Sequence, residues 1–449
     1  MINPDIFKAY DIRGTYPNEL NEEAAYAIGG AAVQHFGVHQ VAIGRDMRIS
    51  SPSLFDALKD GVTAQGAEVI DLGMTSTDEL YFAVGRYNYP MGVMITASHN
   101  PKQYNGLKLC LAGAVPVSSQ TGLDDIKGIV MAGVPAGGGQ RGNVSHRDVL
   151  HDFVAHVRSF ADTSTLRPLK IAVDAGNGMA GVTVPAVFEG LPVTVEPLYF
   201  EPDGNFPHHP ASPIEPENMV DVQQLVRASG ADLGAAFDGD ADRVFITDEH
   251  GDLLDGGMVT AMVARSLLKK NLGTTILYNL IVSKCVPELV ERMGGHAIRT
   301  RVGHSFIKKE MRDNDAIFGG EHSGHFYFRD NYFADSGLIA LMVALEVISE
   351  ENKSVSEIVR SLCSRVRSGE INSHVTDIPA KIAEIRERYK DGQEDTLDGI
   401  TVSYPDWWFN VRASNTEPLI RLNVEADSRE LMERKRDELL GVIRAGQPQ

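Results

Sequence analysis

A serine and a histidine stand side by side where an apolar run of this sequence ends. The run covers residues 91–95, and it is followed by Thr96-Ala97-Ser98-His99-Asn100-Pro101. Pro101 cannot donate to a strand ladder and disfavours the α region for the residue before it, so we expect a turn that holds Ser98 and His99 after a strand. Because open α/β sheets bind ligands at the carboxyl ends of their strands, Ser98 is a candidate nucleophile. An ordinary polar turn is the alternative.

Three aspartates at alternate positions follow a second apolar run. This run covers residues 231–237, and it leads into Asp238-Gly239-Asp240-Ala241-Asp242-Arg243. Three carboxylates in one tight loop repel each other unless a cation lies among them, and hard oxygen ligands favour Mg²⁺ or Ca²⁺. An EF-hand is excluded, because its sixth loop position requires glycine and here holds Arg243. A haloacid-dehalogenase-type phosphatase with Asp238 as nucleophile is an alternative, although its pattern expects Thr or Val at the position of Asp242.

Two later loops carry groups that suit a phosphorylated sugar. In the first loop, Glu321, Ser323 and His325 could bind hydroxyl groups. Zinc is disfavoured there, because the histidines lack the His-Glu-x-x-His order and Gly324 indicates a loop. The second loop, at the tip of a predicted hairpin, consists of Arg412-Ala413-Ser414-Asn415-Thr416. A guanidinium, two hydroxyls and an amide in one turn make a good anion clamp, and a polar turn without a ligand is the alternative for both loops.

A glycine pattern in the middle of the chain indicates a different possibility. Residues 170–174 predict a strand, and the sequence after it is Gly176-Asn177-Gly178-Met179-Ala180-Gly181. This matches G-x-G-x-x-G before a predicted helix, and Glu196 follows about 20 residues later, where a dinucleotide site places an acid. An NAD-linked oxidoreductase is therefore an alternative. Against it, Glu196 lies within an apparent strand, and glycines at such a turn also serve close packing.

The bulk composition restricts the partners and the compartment. With 449 residues, 43% of them apolar and 23% charged, the chain is typical of globular proteins and long enough for about three domains or more. A net charge of −19 argues against binding nucleic acid or an anionic membrane. The start lacks a signal-peptide pattern and no apolar run reaches membrane-spanning length, which predicts a cytoplasmic protein. We expect Cys110, Cys285 and Cys363, which lie far apart, to be packing residues in a reducing compartment.

Strand and helix patterns alternate along most of the chain. Predicted strands cover residues 41–44, 68–72, 91–95, 170–174, 231–237 and 274–280, with helical stretches between them. This pattern is typical of α/β domains whose sheets are covered on both faces. A glycine-rich stretch near residues 131–142 indicates a boundary, and the last part of the chain is more charged. We expect α/β domains over residues 1–143, 144–250 and 251–364, and a smaller α+β domain over residues 365–449.

These loops occur in the order of the α-D-phosphohexomutase superfamily, which the chain resembles over nearly its whole length. The likeness begins with Lys8-Ala9-Tyr10-Asp11-Ile12-Arg13-Gly14 and continues through the serine, aspartate, glutamate and arginine loops. Within the superfamily, the chain looks most like the bacterial phosphomannomutase and phosphomannomutase/phosphoglucomutase enzymes. The resemblance implies a heart-shaped protein with three related α/β domains and a smaller α+β domain around a central cleft. It also implies Mg²⁺ and a hexose 1,6-bisphosphate intermediate.

The resemblance also implies roles for individual residues. Ser98 resembles the phosphorylated serine, which completes a Mg²⁺ site with Asp238, Asp240 and Asp242. The residues expected around the reacting group are Arg13, His99, Lys108, Arg243, His304 and His325; among them Lys108 is our first choice for proton transfer, and His99 is expected to support the loop. Those expected to bind the rest of the substrate are Tyr10, Lys284, Glu321, Ser323, Arg412, Ser414, Asn415 and Thr416. One departure is His322, where the dual-specificity enzymes usually have methionine.

The resulting hypothesis is a mutase that interconverts hexose 6-phosphate and hexose 1-phosphate, for mannose and also for glucose. Phosphorylated Ser98 would donate its phosphoryl group, and the bisphosphate would turn over and return the other one. The alternatives are a metal-dependent sugar phosphatase, an NAD-linked sugar-phosphate oxidoreductase and a phosphosugar-binding protein without activity. We expect a small phosphosugar as the partner, and a monomer or weak homodimer.

Overall fold

The computed structural model describes residues 2–135, 137, 139–414 and 419–445, and the strands in these ranges form four sheets. The first sheet consists of β1 (Ile12–Thr15), β2 (Gln40–Arg45), β3 (Glu68–Met74), β4 (Met91–Ile95), β5 (Tyr104–Leu111), β6 (Val115–Pro116) and β7 (Val144–His146). Its order is β1-β5-β4-β2-β3-β7, with β6 beside β5. Because β7 pairs with β3, this sheet continues past residue 143, where we expected the first boundary.

Helices cover this sheet, and their positions explain the apolar character of its central strand. They are α1 (Glu22–Phe36), α2 (Ser51–Ala64), α3 (Thr77–Arg86) and α4 (Leu123–Ala132). Every residue of β4 is buried, as expected for a strand covered on both faces. It runs parallel to β2 and antiparallel to β5, so the sheet is mixed. The predicted strands at 41–44, 68–72 and 91–95 are confirmed.

The second and third sheets repeat this arrangement with fewer strands. Each sheet and the helices that pack on it form one unit of the chain. The second unit contains α5 (Leu150–Arg158), β8 (Leu169–Asp174), α6 (Ala180–Phe188), β9 (Val193–Leu198), α7 (Val220–Ser229), β10 (Leu233–Phe237) and β11 (Val244–Thr247). Its strand order is β11-β10-β8-β9. The third unit contains α8 (Gly256–Lys270), β12 (Thr275–Asn279), α9 (Cys285–Arg292), β13 (His296–Thr300), α10 (His304–Asp313), β14 (Phe318–Gly320), β15 (Phe326–Phe328), β16 (Ala334–Asp335), α11 (Gly337–Glu351) and α12 (Val355–Leu362). Its strand order is β13-β12-β14-β15-β16.

The fourth sheet has a different, wholly antiparallel design. The fourth unit comprises β17 (Val366–Arg367), β18 (Ile371–His374), α13 (Ile378–Arg388), β19 (Gln393–Asp395), β20 (Ile400–Ser403), β21 (Trp407–Ala413), β22 (Leu419–Ala426) and α14 (Arg429–Arg444). The order is β17-β22-β21-β20-β19, and β18 also pairs with β22. Three mixed α/β units followed by an α+β unit confirm the predicted fold class.

The hydrophobic cores do not follow this division into four units. One continuous core contains side chains of the second and third units, from Phe153 to Leu362, together with Phe82 of α3. Helix α11 lies within it and is buried along nearly its whole length. Glu346 of this helix is also buried, and its carboxylate accepts from Lys270 of α8 and from the backbone N–H of Asp162. The fourth unit has a separate core of its own.

The structure corrects one expectation about the cysteines. Cys285, which begins α9, and Cys363, which follows α12, form a disulfide although 78 positions separate them in the sequence. The two helix ends meet just before the chain enters β17, the first strand of the fourth unit. The spacing of the cysteines in the sequence did not predict this contact. Only Cys110, among the described cysteines, is free, and it is buried as expected. In the described part of the chain, no helix has the length and apolar composition needed to cross a bilayer.

Candidate active site

The Ser98 loop begins where the buried strand β4 ends. Ser98 has a φ of 50°, a left-handed conformation that costs a non-glycine residue energy and must be held by its surroundings. Its N–H donates to Thr96 Oγ1 over 2.8 Å. The side chain is buried except for the face toward a cavity. The loop therefore presents the Ser98 hydroxyl at the carboxyl end of the strand.

Arg48 holds this loop in place, and our sequence reasoning missed it. Its buried guanidinium donates to the backbone carbonyl oxygens of four loop residues, Ser98, Asn100, Pro101 and Tyr104. Burial lowers the pKa of Arg48, while the neighbouring carboxylate of Asp46, 3.2 Å from its Nε, favours the charged form. A signal was available, since Arg45-Asp46-Met47-Arg48 places charged residues at the end of β2, the strand beside β4.

The aspartate loop reaches Ser98 from the second unit. Ser98 Oγ donates to Asp238 Oδ2 over 2.7 Å. Arg243 contacts both groups, with its Nε 2.9 Å from Asp238 Oδ2 and its Nη2 3.1 Å from Ser98 Oγ. Gly239 permits this approach, because a Cβ atom there would lie 2.6 Å from the carbonyl oxygen of Ser98. A larger residue at position 239 would push the two loops apart.

Lys108 lies between the other two aspartates. Its Nζ, projecting from β5, is 2.7 Å from Asp240 Oδ2 and 2.7 Å from Asp242 Oδ2. Burial opposes the lysine charge, but the two carboxylates outweigh it and raise the pKa of Lys108 well above its usual value. Burial likewise opposes the charge of Asp240, and the lysine outweighs it and lowers the pKa of Asp240. Both groups are therefore charged at neutral pH.

The three aspartates also fit a divalent cation. One carboxylate oxygen of each lies within 4.8 Å of the others. The Oδ1 atoms of Asp240 and Asp242 are buried, and no hydrogen bond from another described residue reaches them. Buried carboxylate oxygens without a donor are costly, and an oxygen-preferring cation would satisfy them. The donor set and these two free oxygens match the metal site expected from the sequence.

His99 lies beside Ser98 but is not arranged as its base. Its Nδ1 accepts a hydrogen bond from the Arg243 guanidinium and lies 3.3 Å from Ser98 Oγ. The charge of Arg243, together with burial, lowers the pKa of His99 well below its usual value. The ring is therefore neutral, and the nitrogen nearest to Ser98 is already occupied. This geometry suits support of the loop.

The loop with Glu321 and Ser323 lies between β14 and β15. Glu321 Oε2 accepts from the Tyr327 hydroxyl over 2.6 Å, and its Oε1 accepts from the backbone N–H of Gly303 over 3.2 Å. Burial raises the pKa of Glu321, and these hydrogen bonds oppose that change. Ser323 Oγ lies 3.1 Å from His325 Nδ1. The carboxylate and the hydroxyl are thus fixed on one short loop.

His325 joins this loop to the aspartate loop. Its backbone forms a bridge with Arg243, and its Nε2 lies 3.9 Å from Asp242 Oδ1. Behind it, Asp335 Oδ2 lies 3.8 Å from the same Nε2, and the Lys308 Nζ lies 2.6 Å from Asp335 Oδ1. No sequence motif indicates Lys308 or Asp335, because each acts through another side chain: Lys308 contacts Asp335, and Asp335 faces His325.

A cavity of about 120 Å³ lies in front of Ser98 and is lined by three of the four units. The predicted residues that line it are Tyr10, Arg13, Ser98, His99, Lys108, Asp242, Arg243 and His325. Arg13 donates to the side chains of Asn100 and, over 2.5 Å, Asp11. His304 begins α10, and its side chain is outside the described part of the structure. The structure thus brings most of the predicted reacting residues together.

Lys284 lies elsewhere. It lines a second cavity of about 250 Å³ between the third and fourth units, together with Tyr278, Arg299 and Trp408. Burial, with the charge of Arg365, lowers the pKa of Lys284. The structure therefore does not bring Lys284 to the cavity over Ser98.

The predicted anion clamp lies on the hairpin of β21 and β22. The Arg412 side chain is 2% exposed and pairs with Glu370. Arg421, on the facing strand, donates to Ser414 Oγ over 3.3 Å. The Nε atoms of both arginines are buried, and no described residue accepts a hydrogen bond from them. The remaining predicted clamp residues, Asn415 and Thr416, lie outside the described residues.

The glycines of the G-x-G-x-x-G pattern serve packing. A Cβ atom at Gly178 would lie 2.7 Å from the Gly239 carbonyl oxygen, and one at Gly181 would lie 1.9 Å from that of Phe200. Both positions are thus filled by neighbouring backbone, one of them the aspartate loop itself. The turn leaves no space at these glycines for a pyrophosphate, which removes the basis of the dinucleotide interpretation.

Comparison with known families covers almost the entire chain. Residues 4–133, 151–251 and 255–366 match alpha/beta/alpha domains I, II and III of phosphoglucomutase/phosphomannomutase. Residues 370–442 match the C-terminal domain of the same family. The order of the four domains is that of the four units seen in the fold.

Curated relatives and a solved structure agree over the full length. A protein from Xanthomonas campestris described as "Phosphohexose mutases" is 40% identical over 98% of this chain and 99% of its own length. An Escherichia coli phosphomannomutase is 39% identical over 98% of this chain and 99% of its own length. A phosphoglucomutase/phosphomannomutase family protein from Burkholderia thailandensis has a TM-score of 0.89 and 32% identity, over 100% of this chain and 99% of that one.

Proposed function

The chain belongs to the phosphoglucomutase/phosphomannomutase family, and we propose that it interconverts the 6-phosphates and 1-phosphates of mannose and glucose through phosphorylated Ser98 and a hexose 1,6-bisphosphate. The resemblance inferred from the four loops is confirmed, and the activity is that of a hexose-phosphate mutase. One observation supports Ser98 most: its hydroxyl lies 2.7 Å from Asp238 Oδ2 and 3.1 Å from Arg243 Nη2, beside a cavity lined by three units.

The surroundings of Ser98 suit a phosphoryl group. Arg243 donates toward the hydroxyl, and Lys108 and Arg13 line the same cavity, so positive charge faces the place where phosphoryl oxygens would lie. Asp238, Asp240 and Asp242 would hold Mg²⁺ together with an oxygen of the phosphorylated serine. When bound, the ion would neutralise charge on the phosphoryl oxygens. We assign proton transfer at the reacting hydroxyl to Lys108, and we expect His304 and His325 to act on the same hydroxyl.

The other end of the substrate would be held by two loops. Glu321 and Ser323 would bind sugar hydroxyls, since their carboxylate and hydroxyl are fixed on one loop. A Glu321 bound to the 3- and 4-hydroxyls would not sense C2, where glucose and mannose differ, so both sugars would react. Arg412, Ser414, Asn415 and Thr416 would bind the phosphate that does not react. The same clamp must accept the phosphate at either end of the sugar.

The test is turnover by the purified protein. We expect glucose 1-phosphate and mannose 1-phosphate to be converted into the 6-phosphates with Mg²⁺ and a trace of hexose 1,6-bisphosphate. Ser98→Ala should lose at least about a thousandfold in kcat while the protein stays folded, because the covalent step has no substitute. Intact mass should show one phosphoryl group on the wild type and none on Ser98→Ala.

Other results would overturn the proposal. Release of inorganic phosphate at the rate of substrate loss, with Ser98→Ala still active, would point to Asp238 as a nucleophile and to a phosphatase. Binding of sugar phosphate without turnover by correctly phosphorylated protein would indicate a binding protein. We further propose that the protein acts in the cytoplasm on a small phosphosugar, as a monomer or weak homodimer.

A further inference from the structure

Two arginines of the clamp hairpin face each other directly. In the register of β21 and β22, Arg412 lies opposite Arg421. Like charges directly opposite on neighbouring strands repel, so this pair needs a compensating anion. Glu370, the residue immediately before β18, provides it. Its Oε2 lies 2.8 Å from Arg412 Nη2 and its Oε1 lies 2.9 Å from Arg421 Nη1.

The three side chains form a partly enclosed group. Arg412 is 2% exposed, Glu370 19% and Arg421 24%. Burial alone would raise the pKa of Glu370, but the charges of Arg412 and Arg421 favour the ionised form and the pKa is lowered, so the carboxylate is ionised. Two positive charges and one negative charge give this group of three side chains a net charge of +1.

The hydrogen bonds leave part of each guanidinium free. Arg412 and Arg421 each use a terminal nitrogen on Glu370, while the buried Nε of each has no acceptor among the described residues. Buried guanidinium N–H groups without an acceptor are costly, and a phosphate is a matching acceptor for such groups. Glu370 therefore accepts from one terminal nitrogen of each arginine, and the Nε–H group of each still lacks an acceptor among the described residues.

We propose that Glu370 is a positioning residue that also weakens the clamp. By sharing its carboxylate between Arg412 and Arg421, it fixes both guanidinium planes and reduces the charge that a phosphate meets. This inference rests on the proposed function, in which the bisphosphate must leave the clamp and return with its other phosphate. A clamp with two uncompensated arginines would bind either phosphate so tightly that its release would limit turnover. Glu370 therefore lowers the affinity of the clamp for phosphate and speeds release.

Glu370→Gln tests the proposal because it removes the charge and keeps the shape. We expect the dissociation constant for inorganic phosphate, measured by titration calorimetry, to fall about tenfold, as expected when a charge close to an anion site is removed. In the mutase assay KM should fall and kcat should fall with it, because release becomes slower. Glu394→Gln is the control, since Glu394 makes an ion pair with Arg386 in the same unit but away from the hairpin.

A purely structural role would give the opposite sign. If Glu370 only held the arginines in place, Glu370→Gln would bind phosphate more weakly and raise KM, and that result would overturn the proposal. Should Glu370→Gln fail to fold, Arg421→Gln gives a second test: Glu370 would then neutralise Arg412 alone, and phosphate binding should weaken. Combining the two substitutions should bring the dissociation constant back toward that of the wild type.

The phosphate titration keeps this inference separate from the proposed function. Tighter phosphate binding by Glu370→Gln, in a protein that shows no mutase activity at all, would support the role of Glu370 and contradict the mutase. Unchanged phosphate binding in an active enzyme would contradict the role of Glu370 alone.

Discussion

At the scale of single residues, the site depends on groups that hold the backbone as much as on groups that face the substrate. Ser98 has a left-handed backbone, and the buried Arg48 binds the carbonyl oxygens around it. The loop that carries the proposed nucleophile is thus held by one guanidinium from the neighbouring strand. The consequence is that Arg48 should matter for both stability and catalysis.

Replacing Arg48 with methionine should destabilise the protein and inactivate it. The change leaves Asp46 as a buried carboxylate without its partner and several carbonyls without a donor, which costs about 3 kcal/mol or more. Urea unfolding measures the free energy, and the mutase assay measures the loss of kcat. Arg141→Gln is the control, because Arg141 and Asp60 form an exposed pair and should contribute little. Equal stability of the two variants would contradict this role.

Ser98 and Arg48 illustrate which site residues can be predicted from the sequence and which cannot. Ser98, the three aspartates, Glu321 and Arg412 were identified because their types and spacing suit a reaction, and the structure brings Ser98, the aspartates and His325 to one cavity or its edge. Arg48, Asp335 and Glu370 were missed because each acts through another residue that is not its neighbour in the sequence. Such contacts depend on which strands are neighbours, and single-residue chemistry does not determine that.

At the scale of elements, the strands were predictable because central strands of covered sheets are runs of apolar residues. The contacts between helices were not. Glu249 follows β11, and its carboxylate accepts from the hydroxyl and the N–H of Ser356 in the first turn of α12, over 2.6 and 3.1 Å. Cys285 and Cys363 join two helix ends in the same way. Each contact attaches α12 to the rest of the molecule.

The attachment by Glu249 should depend on pH. Burial opposes its charge, but the hydrogen bonds from Ser356 outweigh it and lower the pKa of Glu249 to about 2, from an ordinary 4.5. Because the folded pKa is lower than the unfolded one, this contribution is present above pH 4.5 and disappears as the pH falls toward 2. Glu249→Gln should therefore cost about 1 kcal/mol at pH 7 and progressively less below pH 4.5.

Unfolding by urea at a series of pH values measures this difference. Ser356→Ala should show a loss with the same pH dependence, and the double variant should lose little more than either single one, because both changes remove one contact. A difference between wild type and Glu249→Gln that stays constant from pH 7 to pH 3 would contradict the role of this carboxylate.

The disulfide should stabilise the third unit under oxidising conditions. Its closed loop spans 78 positions, for which chain-entropy arguments give about 4.5 kcal/mol. Reduction with dithiothreitol should lower the melting temperature of the wild type and leave that of Cys363→Ser unchanged. Cys110→Ala, which alters a free buried cysteine, should remain sensitive to reduction. Loss of the wild-type response would show that the bond is not formed in the purified protein.

At the scale of the whole molecule, the proposed site is divided between units that are joined in different ways. The first three units line the cavity over Ser98, whereas the clamp lies on the fourth unit, which has its own core. Its contacts with the third unit include polar ones, such as the hydrogen bond from the Lys284 N–H to Glu425 and the ion pair of Arg367 with Asp255. Such an interface permits relative motion of the two units.

We therefore expect the fourth unit to close when the substrate binds. Small-angle X-ray scattering should show a smaller radius of gyration with hexose 1,6-bisphosphate, because the ligand connects the clamp to the other loops. Inorganic phosphate is the control, since it can occupy the clamp without reaching Ser98. Superimposable scattering curves with and without the bisphosphate would contradict closure.

The shared core of the second and third units affects how the molecule can come apart. Helix α11 is buried between them, and Glu346 links Lys270 of one to the backbone of the other. Neither unit can unfold while leaving the other intact, because that would expose the apolar faces of both. The molecule is thus four domains in sequence but fewer cooperative folding units, with the second and third forming one foldon. The fourth, with a core of its own, is free to exchange its amide hydrogens through a separate opening.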